Sequence, residues 1–418
     1  MHTAVGLIVE YNPFHNGHLW HLTEAKRIAG AEFAIAIMSG NFLQRGEPAI
    51  VDKWSRAAMA VTAGVDLVIE LPTVFAVRSA QYFATGGIQL LSRLGMVSHI
   101  CFGAESADLA ALTAAARALS ASTTGSTIRQ KMKTGRTYAA SLALTLAETT
   151  GIDPGVIHSP NNILAIEYLR AIFTCAPQLI PLVIERCAAN YHDTVITSTI
   201  ASATAIRAAI AQNSLLLPDS SAWQSLPAAT AAQINALIAT GRAPVTFDAF
   251  SNIVLAKLRT MQLNELAALP DVTEGLHNKI SDSARKASTL QELLSFIKSK
   301  RYPLTRLQRM MIHALLGTTK TTLAGFDQAG PLYARILAFN QNGRRLLRVI
   351  DRYSTVPVIT KTARFLTSKQ QQNNELTRLQ DMLAYDIKAT DIYVLGQPNC
   401  QWRAGGQDYQ TSPHYLAN

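Results

Sequence analysis

The stretch "AVGLIVEYNPFHNGHLWHL" spans Ala4 to Leu22. Its opening run, "AVGLIVEY", is apolar almost throughout and predicts a strand buried on both faces, while "LWHLTEAKRIA" has the spacing of a helix. "NPFHNGH" is then a strand-to-helix turn. Three histidines (His15, His18 and His21) fall within seven positions, more than a core strand followed by an ordinary helix requires. His18 falls at the expected helix start and His15 one turn-length before it. Gly17 lets backbone approach a ligand, and the N–H groups and positive dipole end of a helix attract phosphate. Imidazoles at that place donate to oxygens as negative charge builds on a phosphoryl group, making His15 and His18 the candidate catalytic residues. A pair of packed or surface histidines at a turn is the plain alternative.

Outward from this turn, the first half alternates. Apolar runs "EFAIAIMSG", "DLVIELP", "HICFGAE" and "LIPLVIER" are separated by helical segments such as "DKWSRAAMAVTAG" and "SAQYFATGGIQLLSRL". Alternation of buried strands with helices predicts a doubly wound α/β domain with a parallel sheet, in which ligands sit at the carboxyl ends of the strands. After about Ala211 the texture becomes Ala- and Leu-rich and mainly helical. "LYARILAFNQNGRRLLRVI" reads as strand, Asn/Gly turn and basic helix. The expected organisation is an α/β domain over 1–212 followed by a mainly helical basic region over 213–418.

Composition agrees with a folded soluble protein: 48% of the 418 residues are apolar and 16% charged. No apolar run reaches the roughly 18 residues of a membrane span. Glu10 interrupts the only signal-like segment, so a cytoplasmic location is expected. Cys101, Cys175, Cys187 and Cys400 show no C-x-x-C pairing, which argues against a zinc site or a disulfide framework. The net charge of +10 is unevenly spread: residues 1–210 carry 15 Lys+Arg and 14 Asp+Glu, residues 211–418 carry 23 and 14. Such asymmetry marks a polyanion-binding region, with a merely soluble basic surface as the alternative.

H-x-G-H after a first parallel strand is the signature of the nucleotidyltransferase superfamily, whose members attack the α-phosphorus of ATP and expel pyrophosphate. "TIASATAIRAAI" resembles that superfamily's second signature, with Ser202 and Thr204 at a helix start and Arg207 one turn in to hold the triphosphate. Serine or threonine at a helix N-cap is also common without function. The blocks "EYNPFHNGH", "SGNFLQRGEPAIVDKWSRAAMA", "GVDLVIELP", "FGAES", "SPNNILAIEYL", "YHD", "SATAIR" and "KRYPLTRLQRMMIHALL" together resemble the bacterial tRNA(Met) cytidine acetate ligase family. The resemblance implies two steps. Acetate attacks ATP to give acetyl-adenylate and pyrophosphate, and the acetyl group then passes to the exocyclic amine of the wobble cytidine of elongator tRNA(Met).

It also implies site residues. The segment Ile8, Val9, Glu10, Tyr11, Asn12, Pro13, Phe14, His15, Asn16, Gly17, His18, Leu19, Trp20 and His21 wraps the ATP. Gly103 lets adenine or ribose lie against backbone, or makes a plain tight turn. Asn162 is a nucleotide ligand or an N-cap. Arg186 ends a strand where a guanidinium meets the nucleotide, followed here by Cys187 where the family usually has isoleucine. Asn41, Gln44 and Arg45, in a polar loop after the second strand, are placed near acetate or phosphates, with a surface loop as the alternative. Lys53 and Arg56 read better as solvated charges.

For the RNA partner, His277 to Arg309 holds eight Lys+Arg against two Asp+Glu. Tyr302 stands among Lys298, Lys300, Arg301, Arg306 and Arg309, combining a stackable ring with phosphate partners. Arg344, Arg345 and Arg348 form a second cluster. No cluster of metal-ligating residues stands out, so Mg²⁺ is expected on the ATP phosphates rather than in a protein cage. Two other readings compete. A small-molecule adenylyltransferase leaves the basic half unused, and a catalytically silent RNA-binding protein leaves the histidine turn without purpose.

Overall fold

The computed structural model describes residues 3–136, 138–153, 159–186, 201–212, 215–273, 275–372 and 375–417. The five expected strands form: β1 (Ala4–Val9), β2 (Phe33–Ser39), β3 (Leu67–Leu71), β4 (Val97–Ala104) and β5 (Ile180–Glu185). They lie parallel in the order β5-β4-β1-β2-β3. Every residue of β2 and β3 is buried, as their continuous apolar runs demand. Helix α1 (Asn16–Ala29) returns from β1 and stops at Gly30, and α2 (Lys53–Thr62) begins at Asp52, whose carboxylate accepts the Ser55 N–H. Strand order reverses at β1, which has β2 on one side and β4 on the other, so a crevice opens beyond its carboxyl end.

The sheet does not end with the first half. Strand β6 (Ala334–Phe339) adds antiparallel to β3, and β7 (Val358–Ile359) and β8 (His414–Tyr415) pair parallel with β6. A division at 212/213 therefore does not follow the sheet, because residues 334–415 return to it. Between these parts the chain is helical, with an apolar core of its own that includes Phe250, Leu258, Ile280, Leu293 and Met310. Phe42 and Val77 of the α/β part pack into that core, joining the two. Among the described residues no helix is long and apolar enough to cross a membrane.

Lys53 and Arg56 are not solvated charges; both are wholly buried. Lys53 Nζ contacts both oxygens of Glu70, at 2.9 and 3.0 Å. Arg56 donates to the carbonyls of Val51 (2.9 Å), Glu10 (2.5 Å), Ser39 (3.1 Å) and Gly40, which lie at or beyond the carboxyl ends of β1 and β2. A guanidinium that satisfies strand-end carbonyls is tolerated inside because each of its three nitrogens finds a partner.

Candidate active site

The turn after β1 is built tightly. Tyr11 adopts φ +45°, uncommon for a non-glycine residue, and reverses the chain at the strand end. Asn12 Oδ1 accepts the Ile50 N–H at 2.8 Å, and Phe14 is fully buried, so both fasten the turn from within. His15 is the N-cap of α1 and His18 its third residue. Nδ1 of His15 accepts the Gly17 N–H at 3.1 Å, and the His15 N–H donates to Nδ1 of His18 at 3.3 Å. Two imidazoles thus make the reciprocal cap usually built from Ser/Thr and Glu. Since both Nδ1 atoms accept, the ring proton of each histidine sits on Nε2, leaving an N–H donor on each. The rings stack at 3.7 Å. Burial, followed by the charges of Arg186 and Arg207, pushes His15 down to about 3; burial and then His15 itself lower His18. Both are neutral donors at neutral pH.

A cavity of about 470 Å³ opens here, beyond the ends of β1 and β4. From the expected segment it is lined by Ile8, Val9, Glu10, Tyr11, Asn12, His15, Gly17, His18, Trp20 and His21. Pro13, Phe14, Asn16 and Leu19 do not line it; Asn16 instead bonds the carbonyls of Gln224 and Ser225. Gly103 lines it from inside β4 rather than from a turn, and a Cβ there would lie 3.2 Å from Cγ of Arg186, which lines it too. Ser202 and Arg207 face the same space. Ser202 Oγ accepts the Ala205 N–H at 3.1 Å, and Arg207 reaches the Asn12 carbonyl (3.1 Å) and Thr204 Oγ1 (3.3 Å). Thr204 thus meets the site through Arg207. Cys187 lies outside the described residues.

Asn162 is neither an N-cap nor a residue lining the cavity. The helix Pro160–Cys175 starts at Ser159, and Asn162 Oδ1 accepts the N–H groups of Glu105 (2.9 Å) and Ser106 (3.2 Å), holding the turn after β4. Its neighbour Asn161 lines the cavity. In the loop after β2, Gln44 and Arg45 line it, whereas Asn41 is buried between the Lys53 N–H (2.9 Å) and Thr390 Oγ1 (3.2 Å). That loop is clamped: Gly46 has φ +81°, and a Cβ there would lie 2.2 Å from the backbone nitrogen of Arg309.

Sequence reasoning missed Glu47 and Tyr168, which also line the cavity, and Thr305 from the helical part. All three lie within quoted blocks, Glu47 in the loop after β2, Tyr168 in "SPNNILAIEYL" and Thr305 in "KRYPLTRLQRMMIHALL", but nothing local to Tyr168 or Thr305 marks either as facing the cavity. The basic residues divide. Lys298, Lys300, Arg301, Arg344, Arg345 and Arg348 are exposed. Tyr302 is only 9% exposed and packs in the helical core, with the Arg306 guanidinium over its ring at 5.1 Å. Arg306 is committed to the Asp271 carbonyl, and Arg309 is buried against the Asp271 carboxylate at 3.2 Å and lines the cavity. Tyr302 and Arg309 therefore present no open surface to RNA.

A histidine-capped helix facing a crevice at the reversal point of a parallel sheet defines a nucleotide-binding transferase. The chain belongs to the HIGH Nucleotidyl Transferase family, whose profile matches residues 1–408. It is 40% identical, over 97% of its length and 98% of the relative's, to the tRNA(Met) cytidine acetate ligase of Acetivibrio thermocellus. It is 39% identical to the ligase of that name from Syntrophomonas wolfei, over 98% of each chain. Among solved structures it is similar to Thermotoga maritima TmcAL, in its apo form (TM-score 0.91, 30% identity) and bound with alpha-thio ATP (TM-score 0.89, 29% identity), over the whole of both chains.

Proposed function

We propose that the chain is an ATP-dependent tRNA(Met) cytidine acetate ligase that forms acetyl-adenylate and passes the acetyl group to the wobble cytidine of elongator tRNA(Met). The observation that carries the chemistry is that His15 and His18 both line the cavity at the switch point while their Nδ1 atoms accept backbone N–H groups, which assigns the remaining ring proton of each to Nε2 as a donor. Donors preorganised in this way stabilise charge that develops on a phosphoryl group without reorganising. Arg186, Arg207 and Arg45 surround the same space with positive charge suited to a triphosphate and a carboxylate. Asn162 and Asn41 act from behind, by holding the turns that carry Glu105 and the loop of Gln44. Mg²⁺ is expected to enter on the ATP phosphates, where it neutralises their charge. The exposed clusters of Lys298, Lys300 and Arg301 and of Arg344, Arg345 and Arg348 bind tRNA phosphates, which position the RNA without reading its sequence.

The nearest competitor, adenylyl transfer to a phosphate-bearing metabolite, gives the basic surface no task. Acetate-dependent pyrophosphate release, followed by nucleoside analysis of the tRNA for N4-acetylcytidine, separates the two readings. Pyrophosphate release that requires a phosphate-bearing metabolite and leaves tRNA unmodified would remove the ligase reading.

A further inference from the structure

Acyl transfer to an amine releases a proton, and the cavity must provide an acceptor for it. The two capping histidines do not serve, because their Nδ1 atoms hold backbone N–H groups and their Nε2 atoms already carry protons. His21 turns Nε2 toward Cys101 Sγ at 3.8 Å. Of the carboxylates that line the cavity, Glu47 is committed: Oε1 accepts from Gln308 Nε2 at 3.1 Å and Oε2 faces Arg207 at 3.9 Å.

Glu10 is held differently. It follows the last residue of β1, where the crevice opens, and Arg56 pins its carbonyl at 2.5 Å. The Gln44 N–H pins Oε1 at 2.7 Å, and Oε2 has no hydrogen bond among the described residues. The carboxylate is therefore oriented by one oxygen and available by the other. We propose that Glu10 is the general base of the second half-reaction, accepting the proton of the nucleobase amine as that amine attacks acetyl-adenylate. In this step, which rests on the ligase reading above, a bond forms between the amine nitrogen and the acetyl carbonyl carbon. The bond from that carbon to the bridging oxygen of AMP breaks, AMP leaves with the electron pair, and the amine proton passes to Glu10 Oε2.

The surroundings suit the role. Burial raises the proton affinity of Glu10 above that of an ordinary glutamate; the Gln44 N–H, Arg45 and Arg207 oppose this and Glu47 adds to it. The other charged or titratable groups around the cavity are Arg186, Arg309, Tyr11 and Tyr168, besides the neutral histidines. A base with raised proton affinity transfers protons more effectively.

The test is single-turnover transfer from supplied acetyl-adenylate to bulk tRNA, with acetate-dependent pyrophosphate exchange measured alongside. Glu10→Gln is expected to slow transfer by about 10²–10⁴-fold, to reduce exchange far less, and to abolish the acid limb of the transfer rate, which in the unmodified protein rises with pH as Glu10 ionises. Glu10→Asp should restore part of the rate and the acid limb. Transfer by Glu10→Gln at an undiminished rate, or equal loss in both half-reactions, would overturn the assignment. If the unmodified protein moves no acetyl group to tRNA, the ligase reading itself falls and this proposal with it.

Discussion

Lys53 Nζ lies 2.8 Å from Asp408 Oδ1, with neither side chain exposed to solvent, although 355 positions separate them in the chain. Arg335 joins the same knot, contacting Asp408 and lying 3.4 Å from Glu70, so two cations face two carboxylates inside the protein. Burial pushes the Asp408 carboxyl up, but Arg335 and Lys53 outweigh it and hold Asp408 below the ordinary aspartate range.

Removing one partner of such a group leaves an uncompensated buried charge. Lys53→Met is expected to cost ~3–5 kcal/mol, read from urea unfolding. The double variant Lys53→Met/Asp408→Asn restores charge balance and should lose less than the sum of the two single variants.

The histidine cap separates folding from chemistry. His15→Asn keeps an Nδ1-like acceptor for the Gly17 N–H but removes the Nε2–H donor, so its thermal midpoint should stay near that of the unmodified protein. His15→Ala loses the cap as well, at about 1 kcal/mol. Both should lower acetate-dependent pyrophosphate exchange by about 10²-fold or more. Wild-type exchange in His15→Asn would remove the histidine from the reaction.

Burial, and after it Arg186, also pushes His21 down to about 4, alongside His15 at about 3. Released from the fold, these rings take up protons near the ordinary 6.5. The unfolded chain therefore binds more protons than the folded one as pH falls through 6.5 toward 4, and stability declines over that window. Urea midpoints should drop accordingly, and His21→Gln should make the decline shallower. The ATP-dependent step should show no inflection near 6.5 from His15 or His18.

Gly46 lets the loop of Gln44 and Arg45 lie flat against the helix Leu304–Leu316. Gly46→Ala meets both a left-handed backbone and the Arg309 nitrogen, so it should destabilise by more than about 1 kcal/mol. It should also raise the Michaelis constant for acetate or ATP in pyrophosphate exchange, since the loop must move.

On the RNA side, Lys300→Ala/Arg301→Ala should weaken tRNA binding, and each phosphate contact removed should reduce its salt dependence by about one unit of logarithmic slope. Pyrophosphate exchange without tRNA should be unaffected. An unchanged salt slope would place the RNA elsewhere.

The strand–turn–helix entry was legible because its signals are local: an apolar run, a turn glycine, and histidines at cap spacing. So were all five parallel strands, since continuous hydrophobicity marks strands covered on both faces. The partner of β6 was not legible, because nothing near Ala334–Phe339 records that the edge of β3 lies open hundreds of residues earlier. Lys53 and Arg56 look like surface charges for the same reason; their burial depends on Asp408, Arg335 and strand-end carbonyls that only tertiary structure supplies. Tyr302 and Arg309 look like part of one basic surface in the sequence, whereas the helix Leu304–Leu316 turns Leu307 and Met310 inward and carries Arg309 with them.

The return of β6 to β3 also has a bearing on biosynthesis. A nascent chain that has emerged only through its first half carries β3 as an open edge, prone to pair with other chains, and has Lys53 and Glu70 without Arg335 and Asp408. The wall formed by Thr305 and Arg309 is also still to come. Maturation of the catalytic corner thus awaits translation of the closing strands, and a proteolytic nick between the helical core and β6 would be expected to silence the enzyme at a distance from its histidines.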